Sequence, residues 1–273
     1  MRDLILRPRF ALGLIAASAL VLRDGVVHVL GDDRTALDRY RLSDGAALSP
    51  IPLPGLPAGE VLAKRDKPDL EALVDAGDGA LVALGSGSRP NRERAFRIHN
   101  DGAVRSIDLA PLYARLRQDI ADLDIEGATR HAGGLTLAHR GVGRGGASRL
   151  IRLDPRALDP ACTCWTADLL QRIDTVALGD LDGVALGLTD LACDAEGSLH
   201  YLAAAEATDD PWLDGRCHGS VIGRIEPDGC ATTLGRLQPA VKAEGLCALD
   251  ADTWLVVTDA DDPAQRAMLY ELR

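Results

Sequence analysis

Segments ending in an Arg–aliphatic pair and a turn recur along the chain: RYRLSDG at residues 39–45, FRIHNDG at 96–102, LIRLDP at 150–155 and IGRIEPDG at 222–229. MLYELR at 268–273 is a fifth copy cut short. Two short apolar or alternating runs precede each copy and break at Gly or Asp, which is the pattern of hairpin strands. Superposing the runs brings Ser18, Glu71, Glu126, Asp190 and Glu244 into register, at spacings of 53, 55, 64 and 54 residues. A unit of three or four short antiparallel strands buries both faces only against neighbouring copies, and radial closure does this while protecting the edges. The reading is an all-β chain forming a single β-propeller domain over residues 1–273. Five copies imply five blades. Six is the alternative, because the 64-residue interval has room for further strands.

Closure requires the first and last blades to be joined. The last unit stops at Arg273 after three strands, and residues 3–9 form a spare strand at the other end, so the N- and C-terminal strands are expected to pair. One helix interrupts the pattern, over residues 111–123, with Pro111 at its start and Leu112, Leu116, Ile120 and Leu123 as an apolar stripe.

The aligned position opens the innermost strand of each blade, and the next strand runs back antiparallel, so its end returns to the same face. One mouth of the channel therefore collects Glu71, Glu126, Asp190 and Glu244 from strand openings. The returning ends add Arg89, His139, Arg140, Glu206, Asp259, Asp261 and Asp262, with Asp32 and Asp33 in the unit that carries Ser18. Carboxylates gathered in this way repel one another unless a cation or arginines neutralise them. A hard divalent cation, calcium foremost, suits Glu71, Glu126, Asp190 and Glu244 as ligands, because it accepts six to eight oxygens in loose geometry. The alternative use of these acids is to accept hydrogen bonds between blades. Arg89, stiffened by Pro90, can grip an anion with two parallel hydrogen bonds, or pair with Glu71. Arg89, His139 and Arg140 are the candidate catalytic side chains, and Arg89, Arg140, Glu206 and Asp259 the candidate ligand contacts.

These strings resemble a bacterial family of β-propellers of unknown function: DLEAL at 69–73, DIEGA at 124–128 and AEGL at 243–246, with GSGSRPNRER, LDGVALGLTDLA, AAAEATDD and TDADDP. The resemblance runs over nearly the whole chain from Leu62 onward. That family is similar in pattern to the phytase-like esterase propellers, and the resemblance implies a propeller with an acidic mouth.

The net charge of −11 repels a nucleic-acid backbone and an anionic lipid surface alike, and nine aromatic residues are too few for stacking platforms. The acidic balance also speaks against phytate. No stretch reaches the roughly 20 apolar residues of a spanning helix. The arginines and apolar run at residues 2–22 allow a secretory signal, but Asp3 and Gly13 interrupt it and its residues fit the repeat, which favours the cytoplasm. The six cysteines show no CxxC pair and read as free thiols. GVGRGG at 141–146 precedes a strand rather than a helix and reads as a loop. No GxSxG, P-loop or HExxH motif occurs. Two functions fit: a cation-dependent hydrolase of a small ester or phosphoester, or a non-catalytic propeller whose mouth binds a small ligand or a partner's loop.

Overall fold

The computed structural model describes residues 1–56, 62, 66–141, 146–207, 215–260, 262 and 264–273. Asp261 and most of the 141–146 glycine-rich loop lie outside the described residues. The chain is a five-bladed β-propeller. Blade I comprises Ala19–Arg23, Val26–Leu30, Ala36–Arg41 and Ala47–Pro52; blade II comprises Leu70–Asp75, Leu81–Gly85, Arg94–Ile98 and Val104–Asp108. Blade III comprises Ile125–His131, Gly134–His139, Arg149–Leu153 and Leu170–Thr175. Blade IV comprises Val184–Cys193, Leu199–Ala207, Arg216–Ile225 and Ala231–Gln238, and blade V begins with Lys242–Ala248, Trp254–Asp259 and Met268–Leu272. The sixth-blade alternative falls away. The long interval holds a connector between the last two strands of blade III, with short helical turns at Pro155–Leu158 and Ala167–Leu169.

Closure uses the chain ends, with a switch between blades. Arg7–Ala11 pairs antiparallel with Met268–Leu272 and completes blade V. Asp3–Ile5 instead lies parallel to Ala231–Gln238, on the outer edge of blade IV. The spare strand expected over residues 3–9 is thus two strands, hinged at the buried Leu6, and latches the last two blades. Pro8 costs no interior ladder bond, because its strand is an edge strand.

The buried apolar residues fall into five clusters, one in each gap between adjacent blades. Leu70 and Leu81 of blade II pack against Leu30 and Leu37 of blade I, and Leu255 and Leu269 of blade V against Leu20 and Val27. Fully burying each such side chain contributes about 1.5–3 kcal/mol, which is available only when both neighbours are present. The ring is therefore cooperative.

The interrupting helix is shorter than its apolar stripe suggests. Residues Ala110–Leu116 are helical, and tight turns continue the burial of Ile120 and Leu123, with the Ile120 amide bonded to the Leu116 carbonyl at 2.9 Å. No helix among the described residues is long and apolar enough to cross a membrane. All six cysteines are free.

Inner strands approach one another closely at the channel. A Cβ on Gly127 would stand 2.7 Å from Asp190 Cα and 2.9 Å from the Leu191 nitrogen. Gly127→Ala is expected to cost about 1–3 kcal/mol by forcing two backbones apart, measured by urea unfolding. An unchanged midpoint would mean that the gap between blades III and IV is looser than this.

Candidate functional site

Each acid-bearing inner strand opens with a β-bulge. The ladder skips Glu71 between Leu70 and Ala72, Glu126 between Ile125 and Gly127, and Glu244 between Ala243 and Gly245. A bulge leaves one residue out of the pairing and re-aims its side chain. In blade IV the skipped residue is Thr189, between Leu188 and Asp190. The residue two positions before each bulged Glu also reaches the mouth, Asp69 and Asp124 from just ahead of their strands, Asp69 with a φ of +52°. The third such residue is Lys242. Blades II and III thus present Asp-x-Glu and blade V Lys-x-Glu, while blades I and IV present the neutral Ser18 and Thr189.

The mouth divides into two halves. On the side of blades III, IV and V, Arg140 reaches Glu206 at 2.7 Å and Glu126 at 3.5 Å. Lys242 bridges Glu206 at 3.1 Å and Glu244 at 3.0 Å. The surrounding carboxylates hold the Arg140 guanidinium well above its ordinary pKa despite burial. On the side of blades I and II, one carboxylate oxygen from each of Asp32, Asp69 and Glu71 lies within 4.8 Å of the others. Lys67 pairs with Asp32 at 2.7 Å, and Arg92 with Asp69 at 2.6 Å. Ser86 donates a further hydrogen bond to Asp69 at 2.5 Å. Glu71 makes no hydrogen bond or ion pair with any described residue.

Protons compensate what these cations leave over. Burial, then the charges of Glu126 and Asp69, push the Glu71 carboxyl well above the usual carboxylate range. Burial and the Glu126 charge do the same to Asp124, whose side chain is hydrogen-bonded to that of Glu126. Burial and the contact with this neighbouring carboxyl group both favour a proton on Asp124. Asp69 is raised by burial, against the pull of Arg92 and Ser86, and burial lifts Glu244 to about 8 against the pull of Lys242.

The structure brings Glu71, Glu126, Glu244, Arg140 and Glu206 together at this mouth. Asp190 stands apart: it lies one position past the blade IV bulge, inside its strand, so its side chain leaves the ring. Its Oδ1 accepts from the Leu191 amide and its Oδ2 from the Leu246 amide, both at 2.7 Å, and it also accepts from the Ala128 amide. It fastens blades III, IV and V. His139 is buried with Nδ1 3.0 Å from the Asp124 carbonyl oxygen, and burial lowers it to about 4, so it is a neutral brace for that peptide at pH 7. Arg89 is half-buried ahead of the turn Pro90–Arg92, and Arg92, three residues on, supplies the guanidinium at Asp69. Asp259 ends its strand opposite Lys242 in register and is partly exposed.

Sequence reasoning passed over Asp69, Asp124, Arg92, Lys67 and Lys242. For Asp69, Asp124 and Lys242 the signal was present, two positions before each aligned glutamate.

A closed five-bladed propeller whose mouth is lined by carboxylates, arginines and lysines is the class of protein that the fold and this geometry define. Within it, the chain belongs to the DUF6929 family, a family of unknown function whose model matches residues 13–273. No curated protein matches it in sequence. Among solved structures it is similar in fold to a glutaminyl cyclase of Myxococcus xanthus, at TM-score 0.58 and 13% identity over 99% of this chain and 97% of that one. It is also similar to a luciferin-regenerating enzyme, at TM-score 0.53 and 10% identity over 98% of this chain and 95% of that one.

Proposed function

We propose that the mouth is the site of a cation-dependent hydrolase acting on a small ester or phosphoester. The observation that carries this reading is the convergence of Asp32, Asp69 and Glu71, with Glu71 making no hydrogen bond or ion pair among the described residues. The oxygen-only donor set suits a hard cation such as calcium, which would displace Lys67 and the proton on Glu71. A bound cation would lower the pKa of a coordinated water and polarise a substrate oxygen. On the other half of the mouth, the proton favoured on Asp124 would serve a leaving oxygen, and Arg140 would face a developing anion. Both solved proteins named above carry the names of enzymes, which agrees with a catalytic use of this architecture. The acidic excess keeps nucleic acids and anionic membranes out of the list of partners.

The ligands read from the repeat alone are Glu71, Glu126, Asp190 and Glu244; the geometry favours Asp32 and Asp69 beside Glu71, because one oxygen of each of these three lies within 4.8 Å of the others, whereas Asp190 is taken up by backbone amides. Thermal melting separates the two sets. Adding calcium to a chelator-treated sample is expected to stabilise the protein by about 2.7 kcal/mol at a hundred times the dissociation constant, a rise of roughly 5–10 °C for a chain of this size. Glu71→Gln should abolish most of that rise and Glu126→Gln much less of it. If melting ignores both chelator and calcium, the metal reading is lost. The mouth is then the non-catalytic binding site that the Arg140 and Lys242 ion pairs favour, and hydrolysis of model esters and phosphoesters should be absent.

A further inference from the structure

A second cavity, of about 580 Å³, opens on the disc face opposite the mouth, between blades II and III. The turn after Asp75 forms one wall, the hairpin turn after His131 a second, and the connector from Pro155 to Pro160 the third. Its size is that of a small-molecule site. The connector is pinned from below. Arg97, fully buried, donates to the Leu158 carbonyl at 2.9 Å and pairs with Asp78, and Arg105 donates to the Pro160 carbonyl. Walls held by these two guanidinium groups, of which Arg97 is fully buried, are in place before any ligand arrives, so little ordering is required on binding.

Arg130 enters this cavity from the end of the inner strand of blade III. Its guanidinium lies over Gly77, where a Cβ would stand 1.9 Å from Arg130 Nη1, and Gly77 also needs its φ of +84°. No carboxylate meets it among the described residues. Asp78 is committed to Arg97 and to the Ala80 amide, and Asp159 accepts from the Ala161 amide. Arg156, on the opposite wall, is already paired with Asp154 and Asp168. Arg130 is exposed at the cavity and has no ion pair among the described residues, although the chain carries a net charge of −11. A guanidinium offers a planar fork matched to a carboxylate or phosphate.

We infer that this cavity is a binding site for a small molecule carrying a carboxylate or phosphate group, which Arg130 grips over the Gly77 turn. The site is independent of the channel mouth and of any chemistry there. Backbone amide shifts of the full chain, followed during titration with inorganic phosphate and separately with citrate, test it. Saturable shifts confined to Gly77, Arg130, Gly133 and their neighbours are expected, and the tighter probe identifies the head group. Arg130→Gln should weaken binding by about tenfold or more with the melting temperature unchanged, because its guanidinium makes no hydrogen bond or ion pair among the described residues, and Arg130→Lys should fall between the two. Absence of saturable shifts with both probes, shifts confined to the mouth, or undiminished binding by a folded Arg130→Gln protein would each overturn the assignment.

Discussion

Asp190→Ala is expected to destabilise the protein by about 3–5 kcal/mol, lowering the melting temperature by roughly 8–15 °C. The substitution leaves the Leu191, Leu246 and Ala128 amides without an acceptor in the buried gap where blades III, IV and V meet. Each stranded amide costs about 1–3 kcal/mol, and the release of a buried carboxylate from its desolvated position offsets part of the sum. Asp190→Asn keeps one oxygen but turns an amino group toward a backbone donor, so it should recover only part of the loss. The effect must be the same with chelator as with calcium, since both carboxylate oxygens are already occupied by amides. A loss below about 1 kcal/mol, or one that appears only when metal is present, would return Asp190 to the ligand set.

The difference between Asp190 and the ring glutamates shows what a repeat makes legible and where it stops. Arg–aliphatic pairs, hairpin turns and the glutamate positions recur because every blade faces the same neighbours, so the period was readable and so was the architecture. A bulge is a one-residue event, however, and one residue reverses the direction of a side chain. Leu-Glu-Ala, Ile-Glu-Gly and Ala-Glu-Gly place the acid at the bulge, whereas Leu-Thr-Asp places it one step beyond, and only the ladder register distinguishes them. Arg89 and Arg92 differ in the same way. Both stand in the GSGSRPNRER string, and it is the short turn Pro90–Arg92 that carries the second over Asp69, at 2.6 Å. Lys67 and Lys242 were hidden by a different cause: a search for carboxylates round a channel does not look for the cations that would make the channel tolerable.

Among the described residues those cations do not match the acids in number, and the remainder should appear as a pH dependence of the folded state. Glu244 has its pKa raised from 4.5 when unfolded to about 8 when folded. In that window the folded chain retains a proton that the unfolded chain releases, so stability is fully present below pH 4.5 and is lost as the pH rises through 8. Asp69, Glu71 and Asp124 are shifted in the same direction. Urea unfolding is therefore expected to show stability increasing by a few kcal/mol on acidification from pH 8 to pH 5, opposite to the slope produced by acids such as Asp78 and Asp194, whose partners hold them low. Glu244→Gln should remove part of this slope by raising stability at pH 8, and should do so whether or not calcium is present. The part owed to Asp69 and Glu71 should instead vanish in saturating calcium, because a cation on those oxygens replaces the protons. If stability falls between pH 8 and pH 5, or if Glu244→Gln keeps the full slope, the acids of the mouth are ionised when the protein is folded, and pairing with Arg140, Lys242, Arg92 and Lys67 is enough to hold them.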